Sequence, residues 1–475
     1  EVLRDIWNYE GWVMSDWGAV HSVSIKQGLD QESGRQADKH AWFREPLREA
    51  LAEGSVTEAD IDRSVLRILR TMYRLGLADN PLSPLPIDFD SHLEVAQRVA
   101  EQGTVLLKNE GGLLPIPAAT KRIAVIGGHA DTGVPQGGGS SQVWPVGGAS
   151  LSLAIPGDVA YHRRLYMPSA PLTGLREQFP EAEVVFDDGS DAARAAKMAR
   201  LADFAIVFAE EFRAEGHDTL DLRLPDEQDS LIAAVAKANP RTVVVLETGG
   251  PILMPWIDQV PAVIEAWYAG NRGGHAIAQV LSGKVNPSGR LPVTFPASLE
   301  QLPNPVLPGS AQVKPRLGSD LYDMPEREEP LEIAYPEGAD TGYRWFARKG
   351  FEPLFAFGHG LSYTRFKMSN LKVSGETASV QVRNTGKRAG ATVAQLYLIS
   401  RAGEAKRRLV GFQRVKLVPG ESKQVSLTIE PRLLADWQHS GWSMPSGVYS
   451  FAVGESAVLL GSTADVKLPA RSWGD

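Results

Sequence analysis

The sequence predicts a multidomain α/β protein ending in an all-β domain, and three observations carry that expectation. Five short apolar runs, at Ile123–Ile126, Val184–Phe186, Ala205–Phe208, Val243–Leu246 and Ala262–Ile264, read as parallel strands buried on both faces. Helical segments such as Ala192–Ala202 and Asp226–Ala238 lie between them, as in a βαβ pattern. From about residue 365 the pattern changes to alternating strands, Ala378–Val382, Ala394–Leu398, Val425–Ile429 and Val448–Ala452. Turns at Asn384-Thr385-Gly386 and Pro419-Gly420 separate these, a spacing that suits a β-sandwich of about 100 residues. At 475 residues two or three domains are expected.

Taken in order, residues 1–78 alternate short strand-like runs with amphipathic helices. Glu1–Asp5 reads as the middle of a helix, so the chain is expected to begin inside a domain. The run Trp12-Val13-Met14 has the length of a buried parallel strand, and a helical pattern resumes from Val20. A second short strand is expected near Gly28-Leu29-Asp30, and a helical period over 41–53. Thr57-Glu58-Ala59-Asp60 has the spacing of a capping box, with Asp in place of the usual Glu. Ile61, Val65, Ile68, Leu69 and Met72 continue it as an apolar stripe that Gly76 ends. Pro81, Pro84 and Pro86 mark residues 79–98 as a linker. The α/β pattern then fills 99–300, a Pro- and charge-rich connection 301–364, and the β-sandwich 365–475.

Composition excludes several kinds of chemistry. The chain has no cysteine, so disulfides, thiolate metal sites and cysteine nucleophiles are out. A formal charge of -8 with no dominant Lys/Arg cluster argues against a nucleic-acid partner. No apolar run reaches the roughly 18 residues of a membrane span. An apolar fraction of 43% is ample for packed cores.

Two carboxylates stand out. Asp16 follows the Trp12–Met14 run, and sites of parallel sheets and barrels lie at that edge. Ser15 and Asp16 are equally common helix caps, so the catalytic and capping readings stand side by side. Trp17 beside it offers an apolar face on which a sugar stacks. Glu215 lies in the acidic stretch Glu210–Asp218 after the run ending at Ala209, and Gly216 permits a conformation that projects it. A pair of carboxylates, one ionised as nucleophile and one protonated for the leaving group, is what glycoside hydrolysis needs. The plain alternative for the acidic stretch is a solvated loop. Gly127-Gly128-His129 invites a dinucleotide site, yet its glycines do not follow G-x-G-x-x-G, and Gly137-Gly138-Gly139-Ser140-Ser141 extends the loop instead of opening a helix. A flexible loop near a ligand is the better reading. His21, His129 and His217 match no metal-ligand spacing, so no metal is expected.

Over nearly its whole length the chain resembles glycoside hydrolase family 3, of the β-glucosidase type. Ser15-Asp16-Trp17 resembles the nucleophile motif near the end of that family's (β/α)8 barrel. Val105–Pro115 resembles the entry to its α/β sandwich domain, Glu215–Asp218 with Asp221–Pro225 the acid/base loop, and Asn286–Pro296 that domain's closing strand. Phe357–Thr364 resembles the lead-in to its fibronectin-III-like domain. The resemblance implies a C-terminal remnant of the barrel, an α/β sandwich with a mostly parallel sheet, and a fibronectin-III-like β-sandwich. It implies Asp16 as nucleophile, Glu215 as general acid/base and Trp17 as part of the sugar-binding wall of a retaining exo-β-glucosidase, with the two carboxyl groups about 5–5.5 Å apart. No cofactor is implied; the substrate is a β-glucoside or short β-linked oligosaccharide, and family members are often periplasmic or secreted. The barrel's earlier strands, with most sugar-gripping residues, are absent from this sequence, so a further segment or second chain is expected to complete it. The loop reads Ala-Glu-Gly-His-Asp-Thr where many members have Gly-Glu-Gly-x-Asp-Arg. The alternatives are the same chemistry on another sugar, as in a β-xylosidase, or a non-catalytic sugar-binding fragment.

Overall fold

The computed structural model describes residues 1–34, 40–155, 163–215, 219, 221–310, 314–315, 322–323, 332–438 and 441–474. Its two compact units, Glu1–Ile87 and Asp88–Asp475, are taken one at a time. Gly216, His217 and Asp218 of the expected acid/base loop, and much of the 301–364 connection, lie outside the described residues.

In the first unit, a single helical turn Val2–Ile6 precedes a parallel bridge between Met14 and Gln31. The Val13 carbonyl accepts the amides of Asp30 and Gln31 (2.9 and 3.1 Å), and the Ser15 amide donates to the Gln31 carbonyl (2.9 Å). Neither expected short strand forms as a strand: the two runs meet only at this isolated bridge, and Met14 is exposed instead of buried. The helix expected from Val20 does not form either. Only the turn Ile25–Gln27 forms, ended by Gly28 at φ 103°. Helices α1 (Glu45–Ala52) and α2 (Glu58–Arg74) follow. The capping box forms as the spacing predicts: the Thr57 hydroxyl accepts the Asp60 amide, and the Asp60 carboxylate accepts the Thr57 amide.

In the second unit, α3 (Phe89–Gly103) opens the chain with Asp88 as its cap. It corrects the expected linker over 79–98, whose second half is already helical because Asp88 satisfies the Ser91 amide at 3.1 Å. The central sheet contains β1 (Val105–Asn109), β2 (Arg122–Ile126), β6 (Glu183–Asp187), β7 (Phe204–Glu210), β8 (Thr242–Glu247) and β9 (Ala262–Glu265), in the order β1-β9-β8-β7-β2-β6. Between β2 and β6 a small antiparallel sheet is formed by β3 (Val134–Pro135), β4 (Leu151–Ala154) and β5 (Arg163–Met167). All central pairs are parallel except β1 with β9. Every residue of β7 and β8 is buried, because helices cover both faces. Alternate residues face opposite layers. Val125, Ile206 and Val245 pack with α4 (Pro171–Gln178) and α7 (Gly273–Ser282); Ala124, Val207 and Val244 pack with α5 (Ala192–Arg200) and α6 (Gln228–Ala238).

Among the parallel strands, the second in the chain lies outside the first and the remainder run the other way, so strand order reverses between β2 and β7. Open α/β sheets bind ligands beyond the carboxyl ends of the strands at such a reversal. The loops that leave there are Gly127–Ser141 and Glu210–Glu215. Past α8 (Tyr343–Lys349), two antiparallel sheets form a sandwich. One contains Phe366–Ser374, Thr377–Asn384 and Ser422–Thr428, the other Gly390–Arg401, Glu404–Leu417, Gly447–Gly454 and Leu460–Leu468. No helix among the described residues is long and apolar enough to cross a membrane.

Candidate active site

In the first unit the residue that organises the Asp16 segment is Asp30, which sequence reading treated only as part of a strand. Its side chain is fully buried and accepts Arg4 Nη2 (2.5 Å), Arg67 Nη1 (2.9 Å) and the Val13 amide (2.9 Å). One buried charge thus binds the first turn, the Trp12–Met14 run and α2 together, and its hydrogen bonds offset its desolvation. Arg4 also donates to the carbonyls of Tyr9, Gly11 and Gly28 (2.8, 2.5 and 3.1 Å). Ser15 is no helix cap; its hydroxyl accepts the Ser33 amide at 2.9 Å. Asp16 then turns its carboxylate to solvent, with Oδ1 accepting the next amide, that of Trp17, at 2.7 Å. Trp17 is 63% exposed. Gly34, at φ +74°, lies so close that a Cβ there would meet Trp17 Cβ at 2.4 Å, which fixes where the indole leaves the backbone.

In the second unit Glu215 stands five residues beyond the end of β7, and every step to it is tied down. Gln228 accepts the Glu210 amide (2.9 Å) and donates to the Glu210 carbonyl (2.8 Å). The Glu211 carboxylate accepts Arg213 Nε (2.6 Å) and the Gly249 amide (3.1 Å). Arg213 donates onward to the Pro251 carbonyl at 3.1 Å, and its amide donates to the Tyr268 hydroxyl at 3.0 Å. The glycine-rich stretch expected to be a flexible loop is packed against this segment instead. Gly138 and Ala214 form a parallel bridge, with the Gly138 amide on the Arg213 carbonyl at 2.9 Å. The Ser140 amide donates to Glu215 Oε2 at 2.6 Å. Beside Glu215 opens a cavity of about 550 Å³ lined by Gln136, Ser141, Met167, Arg213 and Tyr268 among others.

Behind this loop the parallel strands end in buried carboxylates. His129 Nδ1 and the Tyr166 hydroxyl both meet Glu210 Oε1 (2.7 and 2.8 Å). The hydrogen bond to Glu210 raises the pKa of His129 above its ordinary value, against the opposing effect of burial. Burial pushes the carboxyls of Glu247 and Glu265 well above theirs. Among the described residues, no group of three or more His, Asp and Glu side chains is arranged to hold a metal. His129 is engaged by Glu210, and His217 lies outside the described residues.

Residues 104–363, more than half of the chain, match the glycosyl hydrolase family 3 C-terminal domain. The chain belongs to glycoside hydrolase family 3. Residues 392–457 of this family 3 chain match a fibronectin type III-like domain, within the β-sandwich. Among curated relatives, thermostable beta-glucosidase B of Acetivibrio thermocellus is 34% identical over 96% of this chain and 58% of its own length. An exo-alpha-(1->6)-L-arabinopyranosidase of Bifidobacterium longum is 31% identical, over 98% and 60% respectively. The crystal structure of DesR, a beta-glucosidase from Streptomyces venezuelae in complex with D-glucose, superposes with a TM-score of 0.81 at 30% identity. That superposition covers 98% of this chain and 73% of DesR. The chain thus spans less than two thirds of those two curated relatives.

Proposed function

We propose that this chain carries both reacting carboxylates of a retaining, exo-acting β-glucosidase. In the first step Asp16 attacks the anomeric carbon as the bond to the leaving oxygen breaks, and Glu215 gives that oxygen its proton. In the second, water attacks the same carbon, its proton passes to Glu215, and the bond to Asp16 breaks. Trp17 supplies an apolar wall for the sugar. The observation that supports this reading most is the built surroundings of Glu215: an exposed carboxylate, held by a backbone amide beside a cavity, at the strand-order reversal of a family 3 domain. Further residues that grip the sugar would come from a segment or second chain beyond this sequence, since the chain spans 58% of the Acetivibrio thermocellus relative.

A 2-deoxy-2-fluoro-β-glucoside forms the covalent intermediate and releases it slowly. Intact mass followed by peptide mapping is expected to show one glycosyl group on the peptide holding Asp16. An adduct on another residue, or Asp16→Asn turning over within a few-fold of wild type, defeats the assignment. The likeness to an arabinopyranosidase favours a second reading, the same chemistry on another sugar. Rates on nitrophenyl β-glucoside, β-xyloside and α-L-arabinopyranoside separate the two.

A further inference from the structure

The stretch Gly137–Ser141 has an interior that only glycine fits, and what it touches is Glu215. Gly139 is buried at φ +90°, and a Cβ there would stand 2.4 Å from Glu215 Cβ and 2.9 Å from Oε2. A Cβ on Gly138 would meet the Phe212 ring at 2.6 Å and Ala214 Cβ at 2.9 Å. The stretch therefore lies directly on the segment bearing the carboxylate, and the Gly138–Ala214 bridge fixes its register. The next residue turns its amide to Oε2 at 2.6 Å, a charge-assisted length.

We propose that Gly137–Ser141 is the positioning element of the acid/base, its Ser140 amide holding the Glu215 carboxyl group through Oε2. This rests on the acid/base reading of Glu215. The chemistry follows from one constraint. An oxygen that accepts an N–H at hydrogen-bond distance fixes the direction of its carboxyl group, so the Ser140 amide orients Glu215 for both proton transfers. The amide also stabilises the carboxylate form, which the second step requires of Glu215 as base. The other charged group among the described residues lining the cavity is Arg213, paired with Glu211; Tyr268 is the further titratable one.

The test removes the amide proton and little else. Replacing Ser140 by its α-hydroxy acid counterpart turns the 139–140 amide into an ester, and Gly139→Ala displaces the same amide by steric contact. With an aryl β-glucoside of poor leaving group, the alkaline limb of kcat/KM is expected to move up by about one pH unit in both, the worth of one hydrogen bond to a charged group. Ser140→Ala retains the amide and is expected to keep the wild-type limb whatever its rate. An unmoved limb in the ester variant overturns the proposal. Glu215→Gln separates that outcome from failure of the acid/base reading. Its rate should collapse on poor leaving groups and persist on 2,4-dinitrophenyl glucoside. If it shows no such dependence, the reading itself is wrong.

Discussion

Glu247 tests how the acidic edge of the sheet is held. Its carboxyl is fully buried at the end of β8, and neither oxygen has a hydrogen-bond partner among the described residues. Glu210 stands beside it in strand register. Burial first, and the charge of Glu210 next, raise its pKa well above the ordinary 4.5. The native state therefore keeps a proton that the unfolded chain releases. Where the folded state binds more protons, stability falls as pH rises, from the ordinary carboxyl value up to the raised one, by about 1.4 kcal/mol per pH unit. Glu247→Gln keeps the shape and has no proton to lose. Any cost of burying its amide is independent of pH, so the gap between variant and wild type should widen in the variant's favour by that slope above pH 5.

A unit the size of Asp88–Asp475 unfolds with an entropy of about 0.8 kcal/mol/K, so the widening corresponds to about 2 °C in Tm per pH unit. Differential scanning calorimetry of both proteins at pH 4, 5 and 6 reads it directly, since the remaining titrating groups are common to the two. Parallel Tm curves across that range would refute the reasoning, and would mean that the Glu247 carboxyl is ionised or solvated in the native protein.

Two further outcomes follow from the same kind of reasoning. Asp30→Asn leaves Arg4 and Arg67 facing a neutral amide in a buried place, and should cost about 3–5 kcal/mol. Urea denaturation or proteolysis of the Glu1–Ile87 unit checks it, and a cost below about 1 kcal/mol would contradict the buried-pair account. For His129 the raised folded value means that its stabilising charge is fully present below pH 6.5 and lost as pH rises through the folded value. Glu210→Gln removes the first cause of that shift. The His129 imidazole resonances should then titrate at lower pH, and an unchanged midpoint would show that the 2.7 Å contact does not govern it.

The parallel strands were legible because burial on both faces leaves an uninterrupted apolar run, and all five expected runs became β2 and β6–β9. β1 was missed because Val105–Asn109 ends in Lys108 and Asn109 and pairs antiparallel at an edge, where those two of its five residues are less covered. The two-residue strand β3 is too short for any periodicity. The helix expected from Val20 failed against a local competitor: Ser22 and Ser24 bond to each other, and Gly28 closes the turn after three residues. Asp16 and Glu215 stand out in the sequence by their places after apolar runs. Asp30, Arg4 and Arg67 do not, because each is an ordinary charged residue until the fold brings them together across as many as 37 positions of chain. The same holds for Ser140, whose part is played by a backbone amide that no side chain announces. Its one visible signal was three successive glycines before it, a sign of close backbone approach that was taken for flexibility.

Positioning and stability are separable along the edge formed by β7 and β8. Glu211 spends its oxygens on Arg213 and the Gly249 amide, so its charge serves the loop that ends in Glu215. Glu210 spends one oxygen on His129 and Tyr166, which holds the glycine-rich loop's first turn to the end of β7. The Glu247 carboxyl makes no hydrogen bond to either loop among the described residues. Burial first, and its neighbour's charge next, keep it protonated, and its cost in stability grows with pH. A site placed at the carboxyl edge of a parallel sheet gains short, rigid connections from strand end to reacting group. Crowding several acids at that edge leaves one of them without a partner. Glu247→Gln should therefore gain on wild type as pH rises above 5 while the hydrogen bonds that carry Glu215 stay as they are, whereas Glu211→Gln weakens the hold on Arg213 and loosens the loop that ends in Glu215 at its root.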